Sequence, residues 1–400
     1  MNGKYLVINC GSSSLKFSLY EMPLEILLIN GYVEKIGHSD SFLTIKINGN
    51  KIRSNKYIKD HNEAVMVMIE ELIKNKVIES LSSIKGVGHR VLHGGEKYRD
   101  SVIITSDVLK NIVELTKLGP LHHPGEIAGI RAMEINFPEI RQVAVFDTAF
   151  HQSMPKENFL YAVPYEWYEK YGVRKYGFHG TSHRYITELL QEKFGLKKIN
   201  LIICHVGSGA SISCIRDGVC IDTTMGLTPL DGLIMGTRCG SIDASIIKYM
   251  MDETGMNISL IDNILNKKSG LLGICGKNDF RDVMELKNNN NEFGVLAYKM
   301  FMNSIIRYIS EYYFMLDGKV DAIVFTAGVL ENNALLRGDI INKIGGVLGS
   351  NLNNEANNSL ESGNLNMALI TTEDSKVPVY VASTDEELMI VRDTYKLINE

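Results

Sequence analysis

This sequence predicts an α/β protein built as two related halves, and three observations carry that reading. Strand-like and helix-like segments alternate along the whole chain. A unit of strand, small-residue loop and strand occurs at residues 5–20 and recurs at 201–215. A chain of 400 residues also exceeds what one ordinary hydrophobic core serves, so two large domains are expected.

Taken in order, residues 5–10 (YLVINC) and 15–20 (LKFSLY) read as two strands joined by the small residues GSSS at 11–14. Residues 62–74 space Val65, Met68, Ile69 and Leu72 along one helical face. A second helix, starting near Ser106, would bury Leu109, Ile112 and Leu115 and stop at Gly119. The apolar run 143–146 is a short strand that delivers Asp147 at its end, and a domain boundary near residue 150 follows it. In the second half, strand 201–206 leads into the small residues 207–209, and strand 210–215 leads out of them to a turn at 216–218. A third strand, 322–326, runs into Ala327 and Gly328. The polar tract 288–291 and the Asn-, Ser- and Gly-rich residues 349–366 read as exposed connections.

Composition narrows the class of function without choosing one. Hydrophobic residues make up 45% and charged residues 22%, as in ordinary globular proteins. A formal net charge of −5 argues against a general nucleic-acid-binding surface. No apolar run reaches the length that spans a bilayer, and the run 5–8 is too short for a signal-peptide core. No membrane partner and a cytoplasmic location are therefore expected. The cysteines Cys10, Cys204, Cys214, Cys220, Cys239 and Cys275 form no CxxC pair and read as thiols of a reducing compartment.

Chemistry enters with three small-residue loops, each after a strand. In NCGSSSLK at 9–16, backbone N–H groups and the Ser12 and Ser14 hydroxyls can approach phosphate oxygens, and Lys16 adds a positive charge. The GxxxxGK[ST] spacing of a P-loop is absent, and a plain serine-rich hairpin reads equally well. In HVGSGAS at 205–211, Gly207, Ser208 and Gly209 again permit close backbone approach to an anion. GVLEN at 328–332 follows a strand and has room to wrap a nucleoside. Arg90 and Arg238 sit in glycine-containing stretches, where a guanidinium can grip a carboxylate or phosphate through two parallel hydrogen bonds; the plainer alternative is a surface ion pair. His179 and His183 are spaced i, i+4, but the glutamate of HExxH is missing and Gly and Ser lie between them, which argues against zinc.

These loops lie in segments that closely resemble the signatures of the acetate kinase family, VINCGSSSLKF at 7–17 and VFDTAFHQSM at 145–154. Matches continue in GHRVLHGG (88–95), GPLHHP (119–124), YGFHGTSH (176–183) and MGLTPLDGLIMGTRCGSID (225–243). SGLLGICGKNDFRD (269–282), FTAGVLENN (325–333) and TDEELMI (384–390) complete a colinear resemblance over nearly all 400 residues. The resemblance implies two related actin-like ATPase domains of ribonuclease H-like α/β fold with a nucleotide cleft between them. Residues 1–150 plus 386–400 would form the N-terminal domain, and 151–385 the C-terminal domain with most of the nucleotide site.

The same resemblance implies reversible phosphoryl transfer between ATP and acetate, giving ADP and acetyl phosphate by in-line attack of the carboxylate. It implies Mg²⁺, with Mn²⁺ as a substitute, and a homodimer, for which the apolar stretch 298–316 could serve both core and interface. By resemblance Asp147, Arg90, Arg238, His179 and His122 are catalytic. Lys16, Ser12, Ser14, His205, Gly207, Ser208 and Gly209 would hold the nucleotide, together with Asp279, Arg281, Gly328, Val329 and Asn332. Arg90, Leu92, Leu121, Phe178 and Pro229 would hold the acyl group, and Asn9 and Glu386 the metal.

Elementary chemistry agrees with that assignment. A carboxylate attacking ATP brings two anions together, so cations must offset their repulsion. Acetate needs no general base, since a simple carboxyl group, with a pKa of about 4.3, is already ionised at neutral pH. Asp147 is therefore expected to orient an arginine or the magnesium shell, or else to cap the following turn. Glu386 equally suits the first turn of a helix.

Four departures and three rivals accompany the resemblance. Ser208 replaces the asparagine of HLGNG, His123 stands where asparagine is usual and adds a titratable group near the substrate, and Leu330 replaces the second glycine of GIGEN. Leu92 is bulkier than the usual valine and should favour acetate, although one methylene is worth only ~1–3 kcal/mol. Propionate and butyrate kinases share the fold, but butyrate kinases carry a GSTST-like first loop against GSSSL here. An ATP-switched chaperone or actin-like filament protein has no need for Arg90, His179 and Arg238 around an apolar pocket.

Overall fold

The structure is a computed structural model that describes residues 3–120, 122–360 and 366–400; Leu121 and part of the 349–366 tract, both singled out above, lie outside these. The chain forms two compact units, Met1–Phe150 with Asp385–Glu400, and His151–Thr384.

In the first unit the apolar run near the N-terminus becomes β1 (Gly3–Gly11), which turns through two residues into β2 (Ser14–Met22). Leu6, Ile8 and Cys10 of β1 enter one core cluster while Tyr5 and Val7 enter another, so both faces are covered and the run is continuously apolar. β3 (Ile26–Glu34), β4 (Phe42–Ile47), β5 (Asn50–Asn55), β6 (Ile84–Val91), β7 (Val102–Ile103) and β8 (Gln142–Phe146) complete the sheet. Its order is β5-β4-β3-β2-β1-β6-β8-β7, with β6 parallel to both β1 and β8.

Helix His61–Lys74 starts where Asp60 accepts a hydrogen bond from the Glu63 amide, and it buries Ala64, Val65, Met68 and Leu72. Helix Ser106–Glu114 tightens to a 3₁₀ turn over Leu115–Leu118 and ends at Gly119. Of its three expected core residues only Ile112 is buried; Leu109 and Leu115 are half-buried, and Leu109 packs only at the margin of the cluster around Val91, Ile130 and Phe146. Helix His123–Asn136 backs the β1–β2 turn, where a Cβ on Gly125 would stand 2.3 Å from the Gly11 carbonyl oxygen. Helix Glu386–Asn399 covers the Tyr5 and Val7 face through Ile390 and Val391.

In the second unit β9 (Leu201–Val206), β10 (Ala210–Arg216) and β11 (Val219–Thr223) form an antiparallel meander. β12 (Ala322–Thr326) lies parallel to β9, β14 (Val379–Ala382) lies parallel to β12, and β13 (Met367–Leu369) closes the order β11-β10-β9-β12-β14-β13. The run β3-β2-β1-β6-β8 in the first sheet thus has the same order and sense as β11-β10-β9-β12-β14 in the second. The strand–loop–strand repeat read from the sequence is the central hairpin of each sheet.

The tract 288–291 ends helix Phe280–Asn288 and supplies Asn291 as cap of helix Glu292–Met315, where its side chain accepts from the Gly294 amide. The tract 349–366 is not wholly an exposed connection. It contains helix Asn354–Asn358, and Asn357 is buried because it accepts from the buried guanidinium of Arg337 at 2.7 Å. Among the described residues no helix is long and apolar enough to cross a membrane.

Candidate active site

In the first unit the parallel pairing of β6 and β8 sets Arg90 opposite Val145, so Asp147, just past β8, lands beside the guanidinium. Arg90 Nε donates to Asp147 Oδ1 at 3.1 Å and Nη2 donates to Oδ2 at 2.6 Å. Asp147 is buried, and its own amide donates to the Val91 carbonyl at 3.0 Å. Glu386 Oε2 lies 3.7 Å from Arg90 Nε. Burial works against the Arg90 charge, but Asp147 and Glu386 outweigh it and raise its pKa. Burial also raises the Glu386 pKa; Arg90 opposes that and the like charge of Asp147 adds to it.

Asn9 faces Lys16 in the β1–β2 register, Ser12 is exposed and Ser14 half-buried. The Gly11 carbonyl in this turn accepts from His61 Nε2 at 2.8 Å. Leu92 is buried and follows β6, whereas His122 is exposed at the N-terminus of helix His123–Asn136. His123 is not a solvent-facing titratable group. It is fully buried, its Nδ1 donates to the Ile112 carbonyl at 3.0 Å, and burial lowers its pKa.

Glu126, which carried no motif, emerges from the tertiary structure. Its Oε1 accepts from the Leu92 amide at 3.1 Å, and its Oε2 has no hydrogen-bond partner among the described residues and lies 3.9 Å from His123 Nε2. Burial, with Asp147 adding to it and Arg90 opposing, raises its pKa from 4.5 to about 8. The folded protein therefore keeps a proton that the unfolded chain has lost, and this group costs stability progressively as pH rises from about 4.5 to about 8. Glu126→Gln keeps an acceptor for the Leu92 amide and carries no charge. We expect its urea midpoint minus that of the wild type to increase between pH 5 and pH 8; a difference that stays constant or decreases over that range would refute the assignment.

In the second unit His179 precedes helix Gly180–Phe194 in the left-handed region, with φ 58° and ψ 23°, a conformation a non-glycine residue holds only under constraint. A Cβ on Gly209 would lie 3.0 Å from Arg238 Nη2 and 3.1 Å from His179 Nε2, so both side chains converge on the β9–β10 loop. Arg238 Nη1 donates to the Pro229 carbonyl at 2.8 Å, and burial lowers its pKa. The imidazoles of His179 and His205 stack with centroids 4.2 Å apart. Phe178 is buried, and its carbonyl accepts from His151 Nε2 at 2.9 Å.

The Gly207 amide closes the loop onto the Gly209 carbonyl at 2.9 Å, and Ser208 stays exposed. A Cβ on Gly207 would sit 3.8 Å from the Gly328 amide nitrogen, which makes the second and third small-residue loops neighbours. Helix Gly328–Asn332 exposes Gly328 and Asn332 and half-buries Val329. Asn332 Nδ2 donates to the Gly328 carbonyl at 2.7 Å. Leu330 is fully buried, so the leucine in place of glycine fills the core and leaves the exposed face of the loop clear. Arg337, which no motif marked, donates to the Leu330 and Glu331 carbonyls at 2.8 and 2.7 Å and fixes this turn from beneath.

Asp279 caps helix Phe280–Asn288 and pairs with the exposed Arg281 at 2.6 Å; the Arg281 hydrogen bonds hold its carboxyl at about 2. Cys10, Cys204, Cys214 and Cys220 are buried free thiols whose pKa values burial raises, which leaves them inert.

Two constellations result, each within one unit. Arg90, Asp147 and Glu386 form a charged cluster, and Arg238 with His179 meets the glycine loop between β9 and β10. The Acetokinase family matches residues 4–392. An acetate kinase of Finegoldia magna is 49% identical over 397 residues, which are 98% of this chain and 99% of that protein. Porphyromonas gingivalis acetate kinase has a TM-score of 0.93 and 41% identity, with 99% of this chain and 100% of that chain covered. A propionate kinase from Francisella tularensis reaches a TM-score of 0.92 at 41% identity, with 99% and 100% covered.

Proposed function

This chain belongs to the acetokinase family, and from that premise we propose that it moves a phosphoryl group reversibly between ATP and acetate, giving ADP and acetyl phosphate. The observation that carries the reading is the convergence of Arg238 and His179 on the Gly209 loop. A carboxylate nucleophile is ionised at neutral pH, so the residues have charge to stabilise rather than a proton to remove. Arg90 spends Nε and Nη2 on Asp147, which leaves Nη1 to an anionic substrate. Arg238 Nη2 and His179 Nε2 meet the phosphoryl group, and the loops at Gly207–Gly209 and Gly328–Asn332 take the nucleotide. Lys16, Ser12 and Ser14 serve the phosphates, and Leu92, Phe178 and Pro229 the acyl group.

Asn9 and Glu386 suit Mg²⁺. Burial and Asp147 raise the Glu386 pKa, a penalty that a divalent cation offsets. One amide and one carboxylate fit an ion that keeps several waters and binds mainly through nucleotide phosphates, and when bound it neutralises charge on the transferring group. Helix Glu292–Met315 exposes Phe293, Leu296, Met300 and Phe314, which supports a second copy of the chain as partner. Six free cysteines fit a cytoplasmic location.

Acetate is preferred over propionate and butyrate because a relative at 49% identity is an acetate kinase and Leu92, which we assign to the acyl pocket, is bulky and buried. The test traps acyl phosphate with hydroxylamine while acetate, propionate or butyrate is offered with Mg-ATP. Acetyl hydroxamate should dominate, EDTA should abolish it and excess Mg²⁺ restore it. ATP hydrolysis that needs no carboxylate, with no hydroxamate formed, would sink the proposal.

A further inference from the structure

We propose that Ser213, His183 and Ser211 form a buried hydroxyl–imidazole relay that holds His179 as its neutral Nε2–H tautomer. Ser211 and His183 are then positioning residues, a role that depends on the phosphoryl-transfer reading of His179.

The side chains meet because two periodicities coincide. Ser211 and Ser213 are alternate residues of β10 and share a face, and His179 and His183 are one helical turn apart. Ser213 Oγ lies 2.7 Å from His183 Nδ1. Ser211 Oγ lies 2.8 Å from His183 Nε2 and 2.9 Å from His179 Nδ1. Ser211, Ser213 and His183 are each 0% exposed, so water does not complete their hydrogen bonding.

A proton inventory then sets every direction. Among the described residues the Ser213 hydroxyl has one hydrogen-bond partner, His183 Nδ1, and a buried O–H without an acceptor is costly. Ser213 therefore donates. Burial and the neighbouring imidazoles of His151 and His205 hold His183 neutral. With Nδ1 accepting, neutral His183 carries its proton on Nε2 and donates to Ser211 Oγ. The Ser211 proton is left for His179 Nδ1, so the His179 ring proton sits on Nε2. That atom faces Gly209 beside Arg238 Nη2, where it offers an anion a donor rather than a lone pair. The i, i+4 histidine pair, which resembles a metal motif in sequence, is thus the two imidazole stations of the relay.

The test is two-bond ¹⁵N–¹H correlation on histidine-labelled, nucleotide-free protein at pH 7, assigned with His179→Gln and His183→Gln. Both His179 and His183 should appear as neutral Nε2–H tautomers. Ser211→Ala should mix the His179 tautomers and lower kcat by about 10–100-fold with KM for acetate little changed. Ser211→Thr, which keeps the hydroxyl, should restore most of that loss. Ser213→Ala touches no atom of His179 yet frees the relay to reverse, so it should also mix the tautomers. An Nδ1–H or doubly protonated His179 in the wild type overturns the relay, as does Ser211→Ala with unchanged tautomer and kcat. A wild type that makes no acetyl phosphate defeats the phosphotransfer reading instead, and the tautomer still decides the relay.

Discussion

Replacing Arg90 by lysine is expected to lower the turnover of acetyl phosphate formation by about 10²–10³-fold while the protein stays folded. Arg90 is held by two hydrogen bonds to Asp147, at 3.1 and 2.6 Å, neither of which uses Nη1. A lysine ammonium is a single point of charge. It can neutralise the buried Asp147 or reach the substrate, but it cannot do both in a fixed geometry. Arg90→Ala should behave differently. It leaves the Asp147 carboxylate, with a side chain 1% exposed, without its counter-ion, and breaking such a pair costs about 3–5 kcal/mol. The two variants should thus share a loss of turnover and differ in urea midpoint. Near-normal turnover in Arg90→Lys would remove Arg90 from the catalytic set.

Gly209→Ala should cut turnover about 10²-fold with little change in melting temperature, since displacements near 1 Å in a catalytic group are worth that much. The added Cβ would stand 3.0 Å from Arg238 Nη2 and 3.1 Å from His179 Cε1 and Nε2. All three atoms are the far ends of side chains, which can swing away while the backbone stays in place. The φ of Gly209 lies outside the left-handed region, so alanine brings no conformational strain of its own. The loss therefore falls on the site and not on the fold. A Gly209→Ala enzyme with ordinary kcat and unshifted stability would show that Arg238 and His179 do not act at this loop.

The α/β architecture was legible because its signals are local. The alternation of apolar and helical periods, the hairpins at 5–20 and 201–215, and the small residues between the strands depend on neighbours a few positions away. The family resemblance was legible for the same reason, being carried by short contiguous segments. Less could be read about burial. Leu109 and Leu115 fit a helical face yet are only half-buried, Leu109 at the core margin. His123 looked like a titratable neighbour of the substrate and is a buried ligand of a backbone carbonyl. Leu330 stands in sequence as a departure from the second glycine of GIGEN, and its side chain lies in the core.

The three small-residue loops with which the site began were determined by the sequence alone, because close backbone approach needs only the absence of side chains. What those loops face was decided by the tertiary structure. Arg90 and Asp147 are 57 residues apart and meet through the register of two parallel strands. Glu126 gains its raised pKa from burial beside that pair, and Arg337, which pins the third loop, is itself held by Asn357, 20 residues away. The hydroxyls of β10 turn two histidines of a helix from a metal-like spacing into a chain of directed protons. A residue type states which proton or charge it can carry, but only packing around it determines the partner, the solvent left to it and hence its protonation state.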